Sequence, residues 1–260
     1  MNDVIIEING CILKVILNRP QLRNAFNSEV IQKLTHVFLS LSCNPNLRLI
    51  LISGNGPDFC AGADLEWMRA SIKLSKKENY QDADKLFAMY EAMENCHIPI
   101  ITQVHGHIFG GGIGLCAASD IVIADQRSIF CLSEAKLGLI PAVMMPLMIN
   151  KLGKSITQLL LIAGRKFSTK DAIRYGLAHF ASRKQNLTSL THDIIKNIIT
   201  SAPEAIDECR RLIRSSASLN RHHFVEALAN KRVGKEAQEG ISAFFENRLP
   251  SWAKLTIDDE

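Results

Sequence analysis

Two loops in this sequence carry residues that could do chemistry through the backbone: Cys60-Ala61-Gly62-Ala63-Asp64 and Phe109-Gly110-Gly111-Gly112. Each follows an apolar run and precedes a stretch of helical period, so each is expected to open a helix. The first N–H groups of a helix have no partner within it and attract negative charge. Glycine lets a ligand oxygen come close to the backbone. Side by side, the amides of Ala63 and Gly111 could hold one oxygen between them. Taken singly, either loop reads more readily as a tight turn with close helix–sheet packing. The glycine triplet is not a phosphate loop, because no Gly-Lys-Ser/Thr follows, and it lacks the G-x-G-x-x-G spacing of a dinucleotide fold. His105 and His107 flank Gly106, but no Cys or carboxylate cluster joins them, so no metal site is expected.

The elements that must position these loops are legible as punctuation and period. Val4–Ile8 and Cys11–Leu17 read as a hairpin with Asn9-Gly10 as its two-residue turn. Ser28 is the expected cap of a helix reaching about Leu41, with Val30, Ile31, Leu34, Val37, Phe38 and Leu41 on one face. Leu47–Ser53 and Pro99–Val104 are continuous apolar strands, as expected where both faces of a sheet are covered. Each runs into one of the two loops. Helices are expected over Asp64–Ala70, up to about Cys96, and up to Ser119, with a further strand over Asp120–Ala124. Strand, loop, helix, strand describes an α/β core with parallel pairing. After Pro141 the pattern turns helical, ending in one long helix from about His222 to Phe245. No sequence repeat or low-complexity tract is visible.

Composition bounds the function. The chain has 260 residues, 47% hydrophobic and 22% charged, an ordinary globular balance. No apolar run reaches membrane-spanning length, and the first residues lack the pattern of a secretory signal, so neither a membrane nor secretion is expected. Seven cysteines are scattered without C-x-x-C spacing, which fits small core residues in a reducing cytoplasm. The formal net charge of +4 is mild and dispersed, and no nucleic-acid partner is expected.

In combination the motifs resemble the crotonase (enoyl-CoA hydratase/isomerase) superfamily over nearly the whole chain. The likeness runs through Leu17-Asn18-Arg19-Pro20, Asn24-Ala25-Phe26, Phe59-Cys60-Ala61-Gly62-Ala63-Asp64-Leu65, Val104-His105-Gly106, Gly110-Gly111-Gly112 and Ser119-Asp120-Ile121. It implies a spiral core of ββα turns over residues 1–200 and a C-terminal helical trimerisation region over 201–260. It also implies a homotrimer or a dimer of trimers. The substrate it implies is an acyl-CoA, whose coenzyme A is part of the substrate, with no further cofactor. The amides of Ala63 and Gly111 would then bind the thioester oxygen, where fixed donors stabilise the charge of an enolate.

The same resemblance assigns the remaining site residues. Enoyl-CoA hydratases of this family carry two glutamates. One matches Glu134, which composition alone would read as a solvated surface charge. The other would stand two residues after the glycine triplet, where this chain has Gly114. Ala61, Asp64, Leu65, Trp67 and Met68 are expected to line the substrate site from the first loop, and Gly110, Gly114, Pro141 and Ala142 from the second half. Arg23 is expected near the coenzyme A phosphates. Asp64 is also expected to cap the helix after Ala63. The segments Gly62–Met68, Ser133-Glu134 and Gly138–Val143 resemble methylglutaconyl-CoA hydratases most closely. The expected reaction is addition of water to the 2,3-double bond of an enoyl-CoA, with Glu134 as acid and base. An isomerase with one glutamate base and an inactive CoA-binding subunit are the alternatives.

Overall fold

The computed structural model describes residues 2–254. Strands β1 (Val4–Asn9) and β2 (Ile12–Leu17) form the expected hairpin. Its register pairs Asn9 with Ile12, so the two turn residues are Gly10 and Cys11, one position later than expected. Register is set by the alternation that buries Ile12, Leu13, Val15 and Leu17, and the positive φ of the first turn position falls to Gly10. Helix α1 (Ser28–Leu39) starts one residue earlier than expected, because Asn27, not Ser28, is the cap: its carboxamide oxygen accepts from the Val30 amide at 2.8 Å. Val30, Ile31, Leu34, Val37 and Phe38 are its buried face.

The chain then climbs in a spiral in which each turn gives one strand to a large sheet and a short one to a small sheet. β3 (Leu49–Gly54), β4 (Ile100–Val104) and β6 (Ile121–Asp125) lie parallel in the large sheet. Their short partners are the bridge at Cys60, β5 (His107–Phe109) and β7 (Ile129–Cys131), which pair side by side in the small one. The large sheet is completed by β9 (Phe180–Ser182), and the small sheet by β8 (Phe167–Ser168). This structural repeat has no counterpart in residue identity. Each turn needs only apolar residues at the sheet positions and a tight corner, and many sequences meet that.

Helices α2 (Leu65–Ser71), α3 (Lys76–Glu94) and α4 (Gly111–Ala118) fill the gaps between spiral turns. The last turns of α3 bury Met89, Tyr90, Ala92 and Met93. Helix α4 is buried along most of its length, as its run of Gly, Ile, Leu, Cys and Ala allows. Helices α5 (Met145–Ala163), α6 (Thr169–Arg174) and α7 (Leu187–Ile199) follow. The C-terminal part is helical as expected, but its last helix is two. α9 (Arg221–Val233) and α10 (Lys235–Phe245) are separated by Gly234, whose backbone is extended. Glycine is the cheapest place to stop a helix. The break lets the Glu236 carboxylate accept from the Glu204 and Ala205 amides, capping α8 (Pro203–Ser215). α8 is tied to the core by Arg210, which donates to Asp120 at 2.8 Å and to the Cys96 and His97 carbonyls.

Candidate active site

The two glycine-containing loops meet. Phe26 and Ala63 form a parallel bridge made by Gly62 O and Asp64 N, which leaves the Ala63 N–H out of the ladder. The Gly111 N–H is the first of α4 and has no partner within the helix. The loops touch closely enough that a Cβ on Gly110 would lie 3.4 Å from Gly62 Cα. Gly110 itself has φ 47° and ψ −117°, a conformation open in practice to glycine alone. Ala63 and Gly111 both border a cavity of about 360 Å³.

What holds the first loop is the run Arg19 to Asn24. The buried Arg19 guanidinium donates to Ala25 O at 2.6 Å and to Asp64 Oδ2 at 2.8 Å, and it pairs with Asp3. Asn24 accepts from the Arg19 amide and donates to Asn55 O and Asp58 O. Asp64 Oδ1 accepts from the Glu66 and Trp67 amides, so Asp64 caps α2 as expected. Both of its oxygens are therefore committed to hydrogen bonds within the protein. Burial opposes ionisation of Asp64, but the Arg19 hydrogen bond and the two amides hold its pKa below the usual value.

Glu134 opens a single 3-10 turn, Glu134–Leu137, three residues after β7. Its Oε1 lies 3.0 Å from where a Cβ on Gly110 would stand, so the carboxylate abuts the second loop. Its Oε2 is buried and has no hydrogen-bond partner. Burial raises the Glu134 pKa, with partial opposition from the Glu134 and Ser133 amides. A buried carboxylate with a raised pKa and an unpartnered oxygen holds a proton more readily than an exposed glutamate and can act as both base and acid.

Of the residues expected from sequence, Ala61, Ala63, Leu65, Trp67, Met68, Gly110, Gly111, Glu134 and Pro141 share this cavity. Three do not. Ala142 is exposed, and Val143 and Met144 border the cavity in its place. Gly114 is buried behind Tyr90 and does not reach the cavity. Arg23 borders a second cavity of about 570 Å³, which shares Ala61, Ala63 and Leu65 with the first and so continues it toward solvent. The Arg23 side chain is 62% exposed and stands 3.6 Å from Asp58. His105 and His107 are occupied structurally, His105 with Gly56 O and His107 with Asp58 at 2.6 Å.

Sequence reasoning missed Phe26, Leu86, Tyr90, Leu137, Leu139 and Ile140 as cavity walls. Leu86 and Tyr90 stand four apart on α3, a helical spacing that places them on one face. Leu137, Leu139 and Ile140 sit in a segment without periodicity, where no local signal shows which side chains face inward. Among the described residues that form the cavity walls, Glu134 is the one charged side chain, and no described Lys, Arg or His borders the space.

Residues 7–255 match the enoyl-CoA hydratase/isomerase family. A carnitinyl-CoA dehydratase of Proteus mirabilis is 30% identical over 94% of this chain and 95% of its own length. The enoyl-CoA hydratase ACTT6 of Alternaria alternata is 29% identical, over 94% of this chain and 82% of its own. The crystal structure of an enoyl-CoA hydratase from Shewanella pealeana superposes with a TM-score of 0.91 at 32% identity, covering 96% of each chain. With its spiral core, its paired glycine loops and this match along nearly its whole length, the chain belongs to the enoyl-CoA hydratase/isomerase family of enzymes.

Proposed function

We propose that this enzyme adds water to the 2,3-double bond of an enoyl-CoA. The observation that carries the reading is Glu134. It is the one charged side chain among the described walls of the cavity, its Oε2 is buried without a partner, and its Oε1 stands 3.0 Å from where a Cβ on Gly110, the neighbour of Gly111, would lie. The thioester oxygen accepts from the Ala63 and Gly111 N–H groups. Water attacks C3 and forms the new C–O bond, its proton passes to the Glu134 carboxylate, and the π electrons move onto the thioester oxygen as an enolate. The enolate collapses as Glu134 returns that proton to C2. One carboxylate thus serves as base and then acid, and the two amides stabilise the charge between the steps. Burial favours both roles, because it raises the affinity of Glu134 for the proton it must carry.

The acyl group occupies the first cavity, and the coenzyme A moiety runs out through the second, past Arg23. The sequence segments like those of methylglutaconyl-CoA hydratases point to an acyl group with a distal carboxylate. The cavity walls favour an apolar acyl group instead, since a distal carboxylate would be buried there without a cation. An isomerase is the second reading, favoured by the absence of a carboxylate at position 114, since one base can shuttle a proton between carbons. A homotrimer or dimer of trimers is supported by the apolar residues displayed on α9 and α10, with Phe244 78% and Phe245 76% exposed. No helix among the described residues is long and apolar enough to cross a membrane.

The test is turnover of purified protein with crotonyl-CoA, 3-methylglutaconyl-CoA and a 3-enoyl-CoA in parallel, following the conjugated thioester absorbance. Hydration removes that absorbance; isomerisation of the 3-enoyl substrate creates it. Glu134→Gln is expected to lower hydration by at least about 100-fold. A Glu134→Gln enzyme hydrating at the full rate would sink the assignment.

A further inference from the structure

Gly114 is the fourth residue of α4, and its surroundings explain why it carries no side chain. A Cβ there would lie 2.3 Å from Tyr90 Oη, 2.5 Å from Cζ and 2.8 Å from Cε1. Tyr90 is a rigid aromatic, 2% exposed, on the buried face of α3. It cannot swing aside as an exposed side chain would. The same phenol donates to Gly111 O at 2.9 Å. A Cβ on Gly111 would stand 3.0 Å from the Phe26 ring and 3.4 Å from Tyr90 Oη, so Gly111 is clamped between two aromatic side chains.

We propose that Tyr90 is a positioning residue that takes the space a carboxylate at position 114 would need and uses it to fix Gly111, whose amide faces the thioester oxygen. The inference rests on the hydratase reading for the role of that amide. Its physical content is a trade: the site gives up a second ionisable group and gains a hydrogen bond to the residue that carries the oxyanion donor. Tyr90 does not serve as a second base. Burial drives its pKa well above the usual phenol value, and Glu134 adds to the effect, so it keeps its proton for Gly111 O. Every proton transfer then passes through Glu134.

Three measurements test this. First, Tyr90→Phe keeps the ring and removes the donor. It is expected to lower kcat for the hydrated enoyl-CoA about tenfold with KM within about twofold, because the amide matters most as charge develops. Second, infrared difference spectra of bound butyryl-CoA report carbonyl polarisation without turnover. The red shift of the thioester carbonyl is expected to be smaller in Tyr90→Phe than in wild type. Third, Gly114→Ala is expected to lower Tm by about 5 °C in the wild-type background and by much less in a Tyr90→Leu background. A wild-type carbonyl shift and kcat in Tyr90→Phe would overturn the positioning role. Equal Tm losses in the two backgrounds would overturn the steric coupling. Glu134→Gln is run beside them: full activity there defeats the proton-transfer reading and leaves the infrared and Tm outcomes to decide Tyr90 independently.

Discussion

Gly110→Ala gives a sharp test of how the oxyanion loop is built. Two costs add. The backbone stands at φ 47°, ψ −117°, where an L-residue loses about 1–3 kcal/mol. The new methyl would also lie 3.0 Å from Glu134 Oε1 and 3.4 Å from Gly62 Cα, so both must give way, for about 1 kcal/mol more. A total of about 2–4 kcal/mol corresponds to a fall in Tm of roughly 5–12 °C for a chain of this size. Gly153 supplies the control. It has φ 75° and ψ 162° in the kink of α5, and a Cβ there meets nothing within 4 Å. Gly153→Ala therefore carries the backbone cost alone, with no steric contact added. Both variants remain folded at 25 °C if the parent has a typical 5–15 kcal/mol of stability. Calorimetry and enoyl-CoA kinetics on the pair separate strain from function. Gly110→Ala is expected to lose about 100-fold in kcat/KM, because it shifts the Gly111 donor and the Glu134 carboxylate together, whereas Gly153→Ala keeps its activity. Wild-type kcat/KM in Gly110→Ala, with a Tm loss matching that of Gly153→Ala, would refute the coupling of this glycine to the site.

Other outcomes follow from the same contacts. Arg19→Ala leaves the buried Asp64 carboxylate without its cation and is expected to destabilise by about 3–5 kcal/mol, read as a lowered urea midpoint. Glu134→Gln is expected to be more stable than wild type at neutral pH. The folded pKa of Glu134 is raised, so the folded state binds a proton more tightly than the unfolded chain, and wild type loses stability as the pH rises from the ordinary glutamate value through that raised pKa. The gap between the two proteins should close as the pH falls toward the ordinary glutamate value, a trend that chemical denaturation at several pH values can check. For the same reason, wild-type kcat/KM should rise with pH through an apparent pKa above that of an ordinary glutamate, and Tyr90→Phe should leave that midpoint in place.

Much of this protein was legible without a structure, and the reasons are local. β3 and β4 are apolar on both faces because both faces are covered, so they announce themselves as continuous runs. The two glycine-containing loops present backbone amides, so their requirement is small residues at fixed places after a strand, a pattern that is linear in the chain. Tertiary structure decided what depends on residues far apart in sequence. The Asn27 cap, the Gly10-Cys11 turn and the break at Gly234 are choices among neighbouring candidates, settled by register and by contacts such as Glu236 on α8. That Asp64 is spent on Arg19 is invisible until the two, 45 positions apart, are brought together. Gly114 reads in the sequence as a missing carboxylate. Only the packing of α3 on α4 shows that Tyr90 stands in its place, because exclusion by a buried ring is a property of volume, and a linear pattern carries no volume.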